Sequence, residues 1–120
     1  MDVEPGLAEA AQLFKVLGNE SRLGLLRLIG AEPRTVSALV AATGMSQPLV
    51  SQHLRTLRQG GLVTASRAGK EVTYRLVDHH VAHVVADALI HVREPVAAEA
   101  TDENPSQSAQ TAQTTQKETA

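Results

Sequence analysis

The chain has 120 residues, of which 42% are apolar, with 11 Lys and Arg against 13 Asp and Glu for a formal net charge of −2. That length suits one small domain with some tail to spare, and the lack of any cysteine excludes disulfides and thiolate metal sites. No apolar run approaches the roughly 18 residues a membrane span needs, and the start Met1-Asp-Val-Glu4 has no basic leader, so a cytoplasmic protein without a membrane partner is expected.

Residues 1–6 read as a flexible N-terminal arm. A first amphipathic helix is predicted from Leu7 to Leu17, with Leu7, Ala10, Ala11, Phe14 and Leu17 at helical spacing. Gly18 stops it, and Asn19 caps a second helix from Glu20 to Ile29 that contributes Leu23, Leu26, Leu28 and Ile29. Gly30 is expected to end that helix, with Pro33 preventing continuation. Thr35 caps a third, Val36 to Ala42, carrying Val36, Leu39 and Val40. Thr43-Gly44-Met45 reads as a tight turn, glycine standing where a positive φ costs little. Ser46 then caps a fourth helix, Gln47 to Gln59, with Pro48 in its first turn, where a missing N–H does no harm. Its apolar stripe is Leu49, Val50, Leu54 and Leu57. Gly60-Gly61 terminates it, and Leu62 to Val77 reads as a β-hairpin around Arg67-Ala-Gly-Lys70. The last element is a helix over Asp78–Glu94. After Pro95 the character changes, and residues 101–120 turn to Thr, Gln, Ser, Ala and Glu with no Leu, Ile, Val or aromatic residue, a composition that cannot offset its ordering entropy, so a disordered tail over residues 95–120 is expected.

The fold class that follows is mainly α with a small β-hairpin. Two short helices joined by Thr43-Gly44-Met45, then a hairpin with a basic tip, make a winged helix-turn-helix over residues 7–94. Between Gly44 and Val77 stand five basic residues, Arg55, Arg58, Arg67, Lys70 and Arg75, against the single acid Glu71. By itself that asymmetry is compatible with an ordinary solvated surface. Combined with the helix order it points to double-stranded DNA. The helix Gln47–Gln59 would enter the major groove, with Ser46, Gln47, Ser51, Gln52, His53 and Arg55 as its candidate DNA contacts. Arg67 and Lys70 on the hairpin would contact phosphates or the minor groove, positioning the protein without specifying sequence.

The final helix carries Asp78, His80, His91 and Glu94. His80 and His91 are eleven positions apart, nearly three turns, so they share a face, yet they stand about 16 Å apart along the axis. No single ion spans that distance. Two antiparallel copies would bring Asp78 and His80 of one chain to His91 and Glu94 of the other, giving two sites in a homodimer joined through terminal helices. A core with only Phe14 and Tyr74 as aromatics is marginal alone, and a dimer is a natural remedy. Each ligand also has a plainer reading: Asp78 as a helix cap, Glu94 as a solvated last-turn residue, His80 and His91 as surface histidines. His79 and His83 read as surface residues of the same helix.

Three stretches carry a resemblance over roughly Leu7 to Glu94. The stretch Leu17-Gly-Asn-Glu-Ser-Arg-Leu23, the run Ser46-Gln-Pro-Leu-Val-Ser-Gln-His-Leu54 and the ending Asp78-x-His80…His91-x-x-Glu94 resemble the ArsR/SmtB family of bacterial metal-responsive repressors. The resemblance implies a homodimer that binds an imperfect palindromic operator when metal-free and leaves it when Zn²⁺ binds on the C-terminal helices. It also implies control of a gene for zinc export or sequestration. The histidine matching His91 would pass a hydrogen bond from its non-metal nitrogen toward the backbone near Gly61. The family's cysteine-based site in the third helix has no counterpart here. Two imidazoles and two carboxylates suit Zn²⁺, with Co²⁺ or Ni²⁺ as alternative ions because His79 and His83 stand nearby. A winged-helix regulator without metal response is a further alternative. An enzyme is not expected: four ligands split across two chains leave no open position, and no nucleophile with a paired base is present.

Overall fold

The computed structural model describes residues 4–95. Half of the predicted arm, residues 1–3, and all but the first residue of the predicted tail lie outside them. The elements in order are α1 (Leu7–Leu17), α2 (Glu20–Ala31), β1 (Arg34–Thr35), α3 (Val36–Thr43), α4 (Gln47–Gln59), β2 (Val63–Ala68), β3 (Glu71–Leu76) and α5 (His80–Arg93). The packing divides the chain after Ala88, with Leu89 opening a second unit.

Local chemistry accounts for most element ends. The Asn19, Thr35 and Ser46 side chains accept from the backbone N–H of Arg22, Ala38 and Leu49 at 3.0, 3.1 and 3.3 Å, each satisfying a donor that α2, α3 or α4 would otherwise leave free. Two arginines do the reverse job at helix C-termini. Arg22 Nε donates to the Val16 carbonyl of α1 at 2.7 Å, and Arg34 Nε donates to the Leu28 carbonyl of α2 at 3.1 Å. A cation there also meets the negative end of the helix dipole. Asn19→Ala should therefore lower stability by about 1 kcal/mol, the usual cost of an N-cap, read as a shifted urea midpoint.

α2 does not stop at Gly30, as its sequence suggests; it runs on to Ala31. A Cβ at Gly30 would sit 3.4 Å from Leu76 Cδ1 of β3. That is ordinary contact with the end of a flexible side chain, so space alone does not demand glycine here; Gly30 is tolerated inside the helix at a propensity cost of about 1 kcal/mol. The sheet also exceeds the expected hairpin. It has three antiparallel strands in the order β1-β3-β2, with Arg34 paired to Tyr74 and Thr35 to Thr73. A two-residue strand has no detectable alternation, and only the third-strand edge reveals it. β2 and β3 pair from Val63↔Leu76 to Ala68↔Glu71, leaving Gly69-Lys70 as the connection.

The core is wholly aliphatic. Leu25, Leu26 and Ile29 of α2, Leu39 of α3, Val50, Leu54 and Leu57 of α4, and Leu62 and Val63 before and in β2 are buried, with Val16 and Leu17 of α1 and Val85 of α5. No polar or charged residue is buried among the described residues. Several expected core positions lie outside it. Leu7 and Phe14 of α1 are 52% and 57% exposed, and Leu49 of α4 is 39% exposed, while Leu25 is buried. Of the expected α1 stripe only Leu17 joins the core, while the large apolar Leu7 and Phe14 face away from it, which is what a surface awaiting a partner looks like.

Candidate DNA interface and metal ligands

α3, the turn and α4 form the helix-turn-helix. Thr43 Oγ1 donates to the Leu39 carbonyl at 2.8 Å and accepts from the Met45 N–H at 3.2 Å, so one hydroxyl ties the end of α3 to the turn. Gly44 sits at φ 74°, and its N–H closes the helix on the Val40 carbonyl at 2.9 Å. A side chain there would be strained in the left-handed region.

With Val50, Leu54 and Leu57 buried, helical spacing turns Pro48, Gln52, Arg55 and Gln59 outward, and all four are exposed. Gln52 and Arg55 thus occupy the face best placed for a groove. Gln47 and Ser51 flank it, and Gln47 Nε2 donates to Ser51 Oγ at 3.1 Å. Ser51 and His53 are half-buried. Ser46 uses one hydroxyl lone pair on the α4 cap, which leaves its O–H and second lone pair for another partner. Arg67 lies in β2 and Lys70 in the turn, both exposed, together with Arg58 and Arg75. A cleft of 230 Å³ is lined by Thr35, Val36, Ser37, Gln47, Lys70, Glu71 and Val72, which joins the start of α4 to the hairpin tip. Ser37, in the first turn of α3, is not among the expected contacts. The only sequence signal for it is its position two residues after the Thr35 cap, where backbone N–H groups favour anions.

The metal candidates fall at the two ends of α5. Asp78 and Glu94 lie just outside the helix, which is shorter than the predicted Asp78–Glu94. Asp78 Oδ1 accepts from the His80 N–H at 2.9 Å and lies 3.6 Å from His80 Nδ1. Asp78 thus stands one residue ahead of the cap position, His79, whose carbonyl accepts the first helical hydrogen bond, and the expected capping role reduces to a bond to the N–H that opens α5; Asp78 and His80 stand together and exposed. In the last turn, His91 and Glu94 are likewise exposed, and the Glu94 N–H donates to the Ile90 carbonyl at 3.1 Å. Among the described residues of the single chain, no group of three or more His, Asp or Glu side chains is gathered to hold a metal. Gly61 is exposed, and its N–H is engaged by the Arg58 carbonyl at 3.0 Å.

Up to Ala88, α5 has two distinct sides. Val85 is buried and Val81 and Ala82 are half-buried, lining a 450 Å³ apolar cleft with Leu26, Leu28, Gly30 and Leu76. The other side exposes His80, His83, Val84 and Asp87. Asp87 is not among the sequence-predicted ligands, although its i, i+4 spacing from His83 is legible in the sequence.

Comparison with known proteins agrees with this architecture. The model of the bacterial regulatory protein, arsR family, matches residues 19–65. The HTH-type transcriptional repressor SmtB of Mycobacterium tuberculosis is 44% identical over 88 residues, covering 73% of this chain. The chain spans 65% of that relative's length. The regulator NmtR of the same organism is 40% identical over 84 residues, 70% of each chain. Among solved structures, the homodimeric winged helix-turn-helix DNA-binding domain Mb0332 of Mycobacterium bovis superposes with a TM-score of 0.66 at 36% identity, over 72% of this chain and 80% of that one. On fold, element order and sequence together, the chain is a winged helix-turn-helix protein and belongs to the ArsR family of bacterial regulatory proteins.

Proposed function

We propose that the protein is a homodimeric transcriptional repressor that binds an imperfect palindrome in promoter DNA and releases it when Zn²⁺ binds between subunits. The observation that carries this reading is the pairing of Asp78 with His80 at one end of an exposed helix, with His91 and Glu94 exposed at its other end. Each end holds half of a tetrahedral donor set of imidazole and carboxylate, the kind zinc accepts. Halves that distant call for a second copy. A dimer is supported by the exposed apolar Leu7 and Phe14 of α1 and Val84 of α5, and by the homodimeric relative.

On DNA, Gln52 and Arg55 would face base edges, with Ser46, Gln47, Ser51 and His53 at the margins of the contact. Arg67 and Lys70 would meet phosphates. Zinc held at both ends of the paired α5 helices would favour a relative orientation of the two α4 helices that no longer suits half-sites one helical turn apart. Gly61 offers backbone close to the end of α4 where a signal from His91 would arrive. The regulated gene would then encode zinc export or sequestration. Co²⁺ or Ni²⁺ is the second reading, favoured by the exposed His79 and His83, which offer extra imidazole. Relatives that are regulators leave no support for a zinc hydrolase.

The test follows the anisotropy of labelled DNA from the protein's own promoter while Zn²⁺, Co²⁺ or Ni²⁺ is added. Release by Zn²⁺, reversed by chelator, is the expected result; DNA binding indifferent to all three ions overturns the reading in favour of a regulator without metal response. A second measurement isolates the hairpin. Arg67→Ala with Lys70→Ala should weaken every DNA sequence alike and flatten the salt dependence by about one logarithmic unit for each phosphate no longer neutralised.

A further inference from the structure

We infer that His83 and Asp87 build a third cation site at the centre of the dimer, distinct from the two at its ends. The inference rests on the antiparallel pairing proposed above and uses residues that the zinc reading of that pairing leaves without a role. His83 and Asp87 are one turn apart on α5, so their side chains are neighbours. Both are exposed, on the side of the helix opposite the buried Val85, together with His80. They therefore lie on the same outward stripe as a proposed end ligand.

The register follows from the end sites. Bringing Asp78 and His80 against His91 and Glu94 of the second copy puts the two-fold axis at about position 86. At 1.5 Å per residue, Asp87 falls about 2 Å along the helix from that axis and His83 about 4 Å. The second copy places its own pair symmetrically, so two imidazoles and two carboxylates converge where the described residues of one chain gather no three donors. Once the helices pair, these groups lose water. Buried carboxylates need a counter-charge, and a divalent ion matches the two Asp87 charges while accepting both imidazoles in a tetrahedral set.

Counting ions in the intact protein separates this site from the end sites. Co²⁺ is titrated into the full-length dimer, its d–d absorption is followed, and the dimer is verified by sedimentation. The expected stoichiometry is three ions per dimer for the wild type, two for His83→Gln, and one for the double variant His80→Gln, His91→Gln. Two ions in the wild type, unchanged in His83→Gln, overturn the central site while leaving the end sites intact. One ion per dimer, lost in His83→Gln and kept in the double variant, upholds the central site and removes the end sites. Should the double variant fail to dimerise, the wild type and His83→Gln alone decide, since three against two upholds the site and equal counts overturn it.

Discussion

His91→Gln should give a protein that still dimerises and still binds its operator but no longer lets go when Zn²⁺ is added. His91 is exposed, so the substitution removes no packing and should leave stability within about 0.5 kcal/mol of the parent. What it removes is one imidazole of a split donor set, and an amide is a poor replacement for it. Regulation of DNA affinity can be no larger than the difference in zinc affinity between free and DNA-bound protein. A coupling of about 3 kcal/mol corresponds to a more than hundredfold loss of DNA affinity on adding zinc. In the variant that ratio should collapse to within a few-fold, measured by anisotropy at fixed salt. A variant that zinc still releases a hundredfold would show that His91 is no ligand.

The largest expected loss of stability is for Leu54→Ala. Leu54 is fully buried in α4, the helix that packs on α2, α3 and β2. Its surroundings are Leu, Ile and Val, with no flexible methionine or aromatic ring in the buried set to refill the space. A cavity there should cost about 3 kcal/mol, a large share of the roughly 5–15 kcal/mol that keeps a domain folded. Urea denaturation at one fixed protein concentration, needed because dimers gain stability by mass action, should show a lower midpoint with an unchanged slope. A loss below about 1 kcal/mol would mean the core around α4 can collapse into the gap. Because α4 also carries Gln52 and Arg55, weaker DNA binding should accompany the loss.

How far the site is legible in the sequence differs between its two halves. The DNA-facing half reads well because α4 announces itself through the Ser46 cap, Pro48 and three of its four apolar positions. Leu49 is the exception: it belongs to the same apolar series but lies on the flank, and only the placement of α2 and α3 shows which flank is covered. The metal half rests on the eleven-residue spacing between histidines and on the resemblance of the Asp78-x-His80…His91-x-x-Glu94 ending, and the structure adds that Asp78 lies 3.6 Å from His80. Asp87 gives only its i, i+4 spacing from His83, which on a helix ordinarily means nothing; it acquires interest once the exposed side of α5 is known.

The sequence by itself determined the caps, turns and helix lengths of this chain to within a few residues. Asn19, Thr35, Gly44 and Ser46 act on backbone groups no more than four positions away, and such interactions survive whatever the rest of the chain does. The tertiary structure alone decided that β1 joins the sheet, that α2 continues through Gly30 to Ala31, and that Leu25 is covered while Phe14 is not. Each of those depends on a partner far along the chain, and no local pattern records which partner arrives.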